Sequence, residues 1–362
     1  MTNGGGLGLA GPARVYDCLL GGKDNYAVDR ELVLELLRIE PGLVDAAHAN
    51  RAFVRRAVRK LAGLGLRQFL DIGCGLPTND NVHQIASRHA PGARVLYIDQ
   101  DPLVLVHARA LLVDDGDVAA LQADLRKPEE LVSQTLDHGL LDPAEPIAVL
   151  MTSVLHHLTD ADDPWKAVRT LTAALAPGSA VVISHLTSAP VTLNPETGSP
   201  ETAPPEALQA RLTPSASGVP GTPGAIGSAG AAGTSGAAGT SVVSGTSGGH
   251  EDREIFGTRG DSGARRNSGS RGPQQTIEAV AATDVAKAPS AAAIAADLAA
   301  RYTEGCSLPL VPRDAAAIMA LLDGLKPLSP GFVPVDDWRP ELSDGTPSAP
   351  SLYLAGVATV PD

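Results

Sequence analysis

Short apolar runs alternate with amphipathic stretches on either side of a long polar segment in this chain. Runs of five or six apolar residues without polar alternation are typical of strands that are buried on both faces of a parallel sheet. The predicted strands cover residues 67–72, 93–98, 118–123, 147–151, 180–185, 332–335 and 352–360. The predicted helices cover residues 27–39, 45–64, 78–89, 102–113, 129–136, 165–175, 291–302 and 313–322. This order predicts an α/β fold whose sheet is mostly parallel and is covered by helices on both faces.

Local details of the pattern refine some of these elements. Thr78 is expected to cap the helix that follows it. One apolar face of the helix after the second strand is formed by Leu103, Val106, Ala110 and Val113. The last two strands are close in sequence and are expected to form a hairpin, which puts one antiparallel strand at or near the sheet edge. The first two helices precede every strand, so they are expected to form an N-terminal cap over the sheet or its mouth.

Glycine is unevenly distributed, and its distribution divides the chain into segments. Of the 38 glycines, 16 lie between Gly218 and Gly272, where most other residues are Ala, Ser, Thr and Pro. Such a composition buries too little apolar area to offset the entropy of ordering, so disorder is predicted. The predicted segments are a flexible N-terminus (1–12), a first part of the folded domain (13–190), a disordered insert (191–288) and a second part of the folded domain (289–362).

The charge and the cysteines exclude several classes of protein. The chain has 28 Lys and Arg against 41 Asp and Glu, a net charge of −13, which disfavours binding to nucleic acid or to an anionic membrane. Its three cysteines are far apart and lack C-x-x-C spacing, so no disulfide scaffold is predicted, and no residue cluster with metal-ligand spacing predicts a metal. The chain has no apolar run of about 18 residues, so no membrane span is predicted. These features predict a cytoplasmic protein and leave its oligomeric state open.

Three successive predicted strands end in acidic residues. Asp71 is followed by Gly73 and Gly75, Asp99 ends the second strand, and Asp124 ends the third. The carboxyl ends of parallel strands meet at one edge of a sheet, where ligands bind near the reversal of strand order. There the second acid can accept hydrogen bonds from ribose hydroxyls, and the third can face an adenine amine. Together the acids favour a nucleoside pocket over three unrelated helix caps or solvated strand ends.

The residues around the glycines discriminate between nucleoside cofactors. A dinucleotide site needs a third glycine so that the pyrophosphate can approach the helix, but that position falls in Leu76-Pro77-Thr78. Asp71 would also repel a pyrophosphate, whereas it would attract a sulfonium and an α-ammonium group. The pattern therefore favours S-adenosylmethionine over a nicotinamide dinucleotide.

The same residues carry a family resemblance. Leu70-Asp71-Ile72-Gly73-Cys74-Gly75 resembles motif I of class I S-adenosylmethionine-dependent methyltransferases. A narrower resemblance is to the actinobacterial-type S-adenosyl methyltransferase family, long described as a domain of unknown function. The segments that carry it are 13–26, 50–53, 75–83, 122–126, 154–157 and 334–338. The resemblance covers about residues 10–190 and 290–360, without the insert. It implies a Rossmann-like class I methyltransferase fold, with a mostly parallel seven-stranded sheet and one antiparallel strand.

The resemblance also implies a set of cofactor-binding residues at the strand ends. In chain order they are Asp71, Gly73, Cys74, Gly75, Asp99, Gln100, Asp124, Leu125, Thr152 and Ser153. The first four would line the methionine part of the cofactor. Asp99 would bind the ribose and Gln100 would flank the adenine. Asp124 and Leu125 would hold the adenine edge. The last two would face the reacting sulfonium.

Candidate catalytic residues follow the fourth strand, where substrate normally meets cofactor. Methyl transfer needs alignment and, for a protonated nucleophile, a general base. His156 and His157 are the candidate bases, and the alternative is that one of them caps a turn while the other packs. A lid over cofactor and substrate is predicted from a Gly-flanked segment near the N-terminus, with candidate residues Tyr16, Lys23, Asp24, Asn25 and Tyr26. The alternative for that segment is a capped turn that starts the next helix.

One basic cluster lies on the second predicted helix and includes Arg51, Arg55, Arg56, Arg59 and Lys60. Three of its arginines share a helical face, at positions 51, 55 and 59, opposite the apolar side. A solvated face is favoured over a patch for an anionic substrate.

Three functions are compatible with these observations in decreasing order of support. The first is an S-adenosylmethionine-dependent methyltransferase that transfers a methyl group to a small-molecule acceptor by in-line displacement. The second is a non-catalytic regulator or sensor that binds the same cofactor, because the cofactor residues have more support than any catalytic residue. The third is a nicotinamide oxidoreductase, which the position of Asp71 disfavours.

Overall fold

A mixed β-sheet forms the centre of the computed structural model, which describes residues 8–78, 80–113, 116–189, 191–193, 200–202, 289–341 and 351–361. The strand order is β3-β2-β1-β4-β5-β10-β8, and β9 pairs with β10 beside β8. The strands are β1 (Gln68–Ile72), β2 (Arg94–Asp99), β3 (Val118–Gln122), β4 (Ile147–Thr152), β5 (Ala180–Leu186), β8 (Lys326–Pro327), β9 (Val333–Pro334) and β10 (Tyr353–Thr359). A separate antiparallel pair is formed by β6 (Val191–Leu193) and β7 (Pro200–Thr202).

Strands β1 to β5 are parallel, and β10 is antiparallel to β5 from Tyr353 to Thr359. The predicted mostly parallel sheet with an antiparallel strand is therefore confirmed. Strand β1 has β2 on one side and β4 on the other, so the order of the strands reverses there. In such a sheet, the crevice beyond the carboxyl ends of β1 and β4 is where ligands bind.

Nine helices are present among the described residues, and they cover both faces of the sheet. They are α1 (Pro12–Leu19), α2 (Ala27–Ile39), α3 (Leu43–Gly63), α4 (Val82–His89), α5 (Pro102–Leu111), α6 (Pro128–His138), α7 (Pro164–Ala173), α8 (Ala291–Gly305) and α9 (Ala315–Met319). Alternate side chains of each strand point to opposite faces. Phe69 of β1 therefore packs in one core with Phe53 of α3, whereas Leu70 packs in the other with Leu131 of α6 and Leu171 of α7.

Two helix starts differ from the sequence prediction. Helix α1 was not predicted, because it is only eight residues long and glycines flank it. Helix α4 begins at Val82 and is capped by Asn81 rather than by Thr78. The Asn81 side chain accepts from the Thr78 N–H at 2.9 Å and donates to the Thr78 carbonyl at 2.7 Å, so Thr78 belongs to the preceding turn.

The buried face of helix α5 also differs from the prediction. The sequence pattern placed Val106 and Val113 on the packed face, but these side chains are 62% and 42% exposed. The residues that pack against the sheet are Val104, Leu105 and Ala108. Both faces of this helix are apolar, so periodicity alone could not select the one that packs.

The predicted sixth strand is reduced to two short pairings with β10. Pro327 and Pro334 lie within them, and proline has no N–H to continue a ladder, which keeps such segments at the edge of a sheet. The predicted insert, residues 191–288, lies outside the described residues except for β6 and β7. Disorder was predicted from residue 191, whereas these six residues pair as strands. Of the helices that the structure describes, none has the length and apolar character to cross a membrane.

Candidate active site

A cavity of about 510 Å³ lies at the carboxyl ends of β1, β2 and β4. All ten predicted cofactor-binding residues line it, as do both candidate bases and Tyr16 of the predicted lid. The other predicted lid residues, which are Lys23, Asp24, Asn25 and Tyr26, do not line it. The volume lies within the range of about 300–1,000 Å³ that is typical of small-molecule sites.

The loop after β1 brings its backbone to the cavity. Gly73 and Gly75 have φ of 70° and 65°, a left-handed conformation that favours glycine. The N–H groups of Gly73 and Cys74 both donate to the Ile98 carbonyl, at 2.8 and 3.1 Å. A Cβ at Gly73 would lie 2.4 Å from Val154 Cγ2, whereas a Cβ at Gly75 would meet no atom of the described residues within 4 Å. The second glycine therefore leaves open space where the chain lines the cavity.

Asp99 fixes this loop to the end of β2. Its carboxylate accepts from the Gly75 N–H and from the Asp101 N–H, each at 3.0 Å. Burial raises the pKa of Asp99, and these backbone hydrogen bonds only partly oppose that effect. The carboxylate is thus held in place by backbone donors while it lines the cavity.

Asp71 is a buried acid beside the same loop. It is 7% exposed, and its carboxylate has no hydrogen-bond donor among the described residues. Burial raises its pKa to about 7; the charge of Arg51 lowers the pKa, and the charge of Asp99 adds to the rise. A cationic group bound nearby would stabilise the ionised form of this acid.

Asp124 is already bound by a neighbouring arginine. The Arg126 side chain donates to its carboxylate through Nε at 2.9 Å and through Nη2 at 2.7 Å. Burial would raise the pKa of Asp124, but these hydrogen bonds outweigh it and leave the pKa below its usual value. Arg126 Nη2 also donates to Gln100 Oε1 at 2.9 Å. Asp124, Arg126 and Gln100 therefore form one hydrogen-bonded wall of the cavity.

A polar cluster joins helices α1 and α3 to the end of β4. Asn50 Nδ2 donates to Tyr16 Oη and to Ser153 Oγ, each at 2.8 Å. Tyr16 Oη donates to the Ala47 carbonyl at 3.1 Å, and Tyr353 lines the same cavity. Ser153 has φ of 55°, which is strained for a residue other than glycine.

Asn50 and Tyr353 were not predicted as site residues. Asn50 is 2% exposed and shares the buried face of α3 with Val54, Ala57 and Leu61. A polar residue at a helical spacing otherwise occupied by apolar residues is the signal that could have identified it. No comparable signal marks Tyr353, which reaches the cavity only because β10 inserts beside β5.

The two candidate bases differ in their hydrogen bonds. His156 Nδ1 accepts from the Leu186 N–H at 3.3 Å. His157 Nδ1 lies 2.8 Å from the Pro309 carbonyl and so carries the proton, which leaves Nε2 with a free electron pair. Burial lowers the pKa of His157 to about 4, and it lowers the pKa of His156 further. Both imidazoles are therefore neutral at neutral pH, and His157 has the nitrogen that can accept a proton.

A third histidine and an arginine complete this cluster. His185 packs edge-on against His156, with ring centroids 5.5 Å apart. Its Nδ1 lies 2.8 Å from the Leu186 carbonyl, and Arg313 Nη1 lies 3.2 Å from its Nε2. Arg313 also pairs with Asp160 at 2.7 Å. Among the described residues, no group of three or more His, Cys, Asp or Glu side chains is arranged to hold a metal ion.

The segment predicted as a lid forms a hydrogen-bonded turn between α1 and α2. Asp17 Oδ2 accepts from the Asp24 N–H at 3.0 Å and from Asn25 Nδ2 at 2.8 Å. The Tyr26 N–H donates to Asp29 Oδ2 at 2.8 Å, which starts helix α2. The alternative of a capped turn describes these contacts, while Tyr16 lies on α1 rather than in the turn.

The basic cluster of α3 is not a uniform solvated face. Arg51 lines the cavity, and its Nη2 donates to Thr78 Oγ1 at 2.9 Å and to the Asp80 carbonyl at 2.6 Å. Arg56 is 2% exposed and donates to the carbonyls of Val335 and Trp338 at 2.6 and 2.8 Å. The prediction of a solvated face is therefore wrong for these two arginines, because loops that are distant in sequence fold onto the helix there.

The cavity lies where a nucleoside cofactor was predicted, and comparison with known proteins identifies the family of the chain. A family model described as S-adenosyl methyltransferase matches residues 8–203, which is more than half of the chain. The chain belongs to this S-adenosyl methyltransferase family. The predicted family resemblance is thereby confirmed. The protein is a methyltransferase enzyme, and its cofactor is S-adenosylmethionine.

Two solved structures extend the similarity to nearly the whole chain. A candidate methyltransferase from Thermobifida fusca is 26% identical with a TM-score of 0.65, covering 98% of this chain and 96% of that one. A DUF574 family protein from Streptomyces avermitilis is 24% identical with a TM-score of 0.66, covering 98% of each chain. The second similarity concerns the fold alone. No curated protein matches the chain.

Proposed function

We propose that this S-adenosyl methyltransferase methylates a small, neutral and largely apolar molecule. The observation that carries the proposal is that one cavity is lined both by the acids at the strand ends and by apolar side chains of α1, α2 and α8, which would form an acceptor chamber. The cofactor and the acceptor can therefore lie in the same enclosed space, as direct methyl transfer requires.

The residues that would hold the cofactor are the ten predicted at the strand ends. Asp99 would face the ribose, the wall formed by Asp124 and Gln100 would face the adenine, and Asp71 would face the cationic amino-acid end. Open space beside Gly75 supports this fit, because the backbone can approach a ligand there without a side chain. The bound cofactor supplies a methyl group on a sulfonium. When the methyl group is transferred, the sulfur keeps the electron pair of the broken C–S bond.

The acceptor chamber is supported by the residues that close the cavity. Its walls come from α1, α2, α8 and the segment after α8, and they include Leu19, Leu36, Leu298, Leu308 and Leu310. Tyr302 of α8 stacks on His157, with ring centroids 5.7 Å apart. Such walls favour an uncharged acceptor, since a charge there would lose its hydration without a partner. The hydroxyls of Tyr16, Ser153 and Tyr353 supply a hydrogen-bonding position for the acceptor's polar group.

His157 is the proposed general base. Its Nδ1–H donates to the Pro309 carbonyl, which fixes the ring and directs the electron pair of Nε2 away from that contact. When an acceptor hydroxyl or amine forms its new bond to the methyl carbon, Nε2 would take the proton that the acceptor loses. His156 would act by packing against His157, at 4.6 Å between ring centroids, because its Nδ1 is already used.

The protein is also proposed to act in the cytoplasm. Cys18, Cys74 and Cys306 are all free thiols, which suits a reducing compartment.

Transfer of a labelled methyl group tests the proposed acceptor class. The protein would be incubated with methyl-labelled S-adenosylmethionine and a cell extract that has been separated into small molecules, protein and nucleic acid. Label is expected in the small-molecule fraction, and it should be lost with Asp99→Ala and strongly reduced with His157→Gln. Label in protein or nucleic acid would contradict the small-molecule acceptor. Cofactor binding without any transfer to the three fractions would contradict the proposed reaction.

A further inference from the structure

We infer that Arg51 binds the α-carboxylate of S-adenosylmethionine, opposite Asp71, which faces the α-ammonium group. The inference rests on the proposed position of the cofactor at the strand ends. It adds a residue from helix α3, outside the loop after β1, to the residues that orient the cofactor.

Arg51 lines the cavity without using all of its donors. Its Nη2 donates to Thr78 Oγ1 at 2.9 Å and to the Asp80 carbonyl at 2.6 Å. Its Nε–H and Nη1–H groups have no hydrogen-bond acceptor among the described residues. The two existing bonds hold the guanidinium in one place, which leaves part of its planar donor set for a ligand.

Arg51 and Asp71 act on each other but do not form an ion pair. The positive charge of Arg51 lowers the pKa of Asp71 against the effect of burial, and it also acts on Tyr16. No salt bridge of Arg51 exists within the described part of the chain, although both side chains line the same cavity. A cation and an anion thus face one space from different elements, with a gap between them.

The amino-acid end of the cofactor has one charge to match Arg51 and one to match Asp71. Its carboxylate can accept a charge-assisted hydrogen bond from a guanidinium N–H, and its ammonium group can donate to a carboxylate. Arg51 is also the available cation in the described lining of the cavity. The other arginine there, Arg126, is held by Asp124 in a two-point contact, and the lining histidines are neutral.

The neighbour of Arg51 on the helix supports the same arrangement. Asn50 is turned toward Ser153 and Tyr16, where the acceptor is proposed to lie, while Arg51 is turned toward Thr78 at the loop after β1. Two consecutive residues of α3 therefore reach the two sides of the proposed reaction centre. Binding of the carboxylate at Arg51 would fix the cofactor's amino-acid end and so orient the methyl group.

Arg51 could alternatively act only by holding the Thr78–Asp80 loop, and three ligands separate the two roles. S-adenosylhomocysteine has the complete amino-acid end, its decarboxylated analogue lacks only the carboxylate, and 5′-methylthioadenosine lacks the whole amino-acid end. Each would be titrated by calorimetry into the full-length wild type, Arg51→Met and Arg51→Lys. Arg55→Met is the matched control, since Arg55 lies one turn later on α3 and pairs with Asp80 at 4.0 Å.

The expected result is selective. Arg51→Met should weaken S-adenosylhomocysteine binding about 10- to 100-fold, which corresponds to about 1.4 to 2.8 kcal/mol. It should change the affinity of the two analogues that lack the carboxylate by less than about threefold. Arg51→Lys should retain part of the selectivity, and Arg55→Met should leave all three affinities near those of the wild type.

Three results would overturn the inference alone. An equal loss for all three ligands in Arg51→Met would show that the arginine only holds the loop. Unchanged binding of S-adenosylhomocysteine would show that it contributes nothing to the carboxylate. If the wild type bound 5′-methylthioadenosine but not S-adenosylhomocysteine, the carboxylate site would again be refuted. Failure of the wild type to bind any of the three would instead refute the proposed cofactor site, and the inference with it.

Discussion

The side-chain amide of Asn50 donates a hydrogen bond of 2.8 Å to the hydroxyl of Ser153, across 103 positions of sequence. This contact fixes helix α3 to the residue that follows β4, and the second amide hydrogen fixes Tyr16 of α1 at the same distance. The strained Ser153 is thereby held at the cavity wall, between the proposed cofactor and acceptor positions.

Replacement of Asn50 by Leu should affect methyl transfer more than cofactor binding. The change leaves two partly buried hydroxyls, those of Tyr16 and Ser153, without their donor and should lower the free energy of unfolding by about 1–3 kcal/mol. S-adenosylhomocysteine affinity should change less than about threefold, while the rate of methyl transfer should fall at least about tenfold. Urea unfolding, calorimetry and the labelled-methyl assay measure these three quantities.

Thr135→Val is the matched control for this variant. Thr135 of α6 is buried, its Oγ1 has no hydrogen-bond partner within the described ranges, and it does not line the cavity. Its isosteric replacement should be neutral or should stabilise the protein by up to about 1 kcal/mol, with methyl transfer unchanged. Equal losses of transfer in the two variants would contradict a specific role for Asn50.

Asp71→Asn should make the protein more stable and less able to bind its cofactor. Burial raises the pKa of Asp71 to about 7 in the folded protein, whereas the unfolded chain titrates near its usual value of about 4. Between these two pKa values the folded protein keeps a proton on Asp71 that the unfolded chain has lost. The free energy of unfolding therefore falls as pH rises from about 4 to about 7. Asp71→Asn lacks this penalty, so its free energy of unfolding should exceed that of the wild type by about 2–4 kcal/mol at about pH 8.

Urea unfolding of both proteins at about pH 5 and about pH 8 tests this sign, because the advantage of Asp71→Asn should grow with pH. Cofactor affinity of the wild type should rise over the same range, since the ionised acid attracts the cationic ligand. If Asp71→Asn were less stable than the wild type at about pH 8, the ionised carboxylate of Asp71 would not destabilise the fold, and the prediction would be wrong.

The buried histidines should give the opposite pH dependence. Burial lowers the pKa of His157 to about 4 and of His185 to about 3, below the unfolded value of about 6.5. The unfolded chain therefore binds protons that the folded state rejects, and stability falls as pH falls from about 6.5 toward about 4. His157→Gln should show a shallower loss over this window, which chemical unfolding at several pH values measures. An unchanged slope would show that His157 is protonated in the folded protein.

Alanine at the two loop glycines should separate stability from binding. Gly73→Ala places a Cβ 2.4 Å from Val154 Cγ2 in a left-handed backbone, so a loss of about 2–4 kcal/mol is expected. Gly75→Ala meets no protein atom and should lose only about 1–2 kcal/mol from backbone strain. Its new methyl group would enter the cavity, however, and S-adenosylhomocysteine affinity should fall at least about tenfold. Wild-type affinity in Gly75→Ala would show that the cofactor does not approach this loop.

The strands and their acids were predictable because each is a local pattern. A continuous apolar run such as residues 147–151 specifies a buried strand, and topology then brings Asp71 and Asp99 to one edge. The roles of Arg51 and Arg56 were not predictable from helical spacing. They are decided by contacts of Arg51 with Thr78 and Asp80, and by the segment from Val335 to Trp338, which contacts Arg56 across about 280 positions.

Contacts between helices and strands that are distant in sequence also could not be predicted. Helix α5 has apolar side chains on more than one face, and only contact with the sheet selects Val104 and Leu105. Tyr353 reaches the cavity because β10 inserts beside β5, which no local pattern around this residue indicates. The polar cluster around Asn50 therefore becomes visible only in the folded chain.

Calorimetric titration of S-adenosylhomocysteine into the wild type and Asp99→Ala tests the central claim most directly. We expect one site per chain at micromolar or tighter affinity, weakened at least about 30-fold in Asp99→Ala because a charged hydrogen-bond acceptor for the ribose is lost. NAD should give no heat in the same experiment. Absence of S-adenosylhomocysteine binding to the wild type, or equal affinity in the variant, would contradict a cofactor site at the ends of β1 and β2.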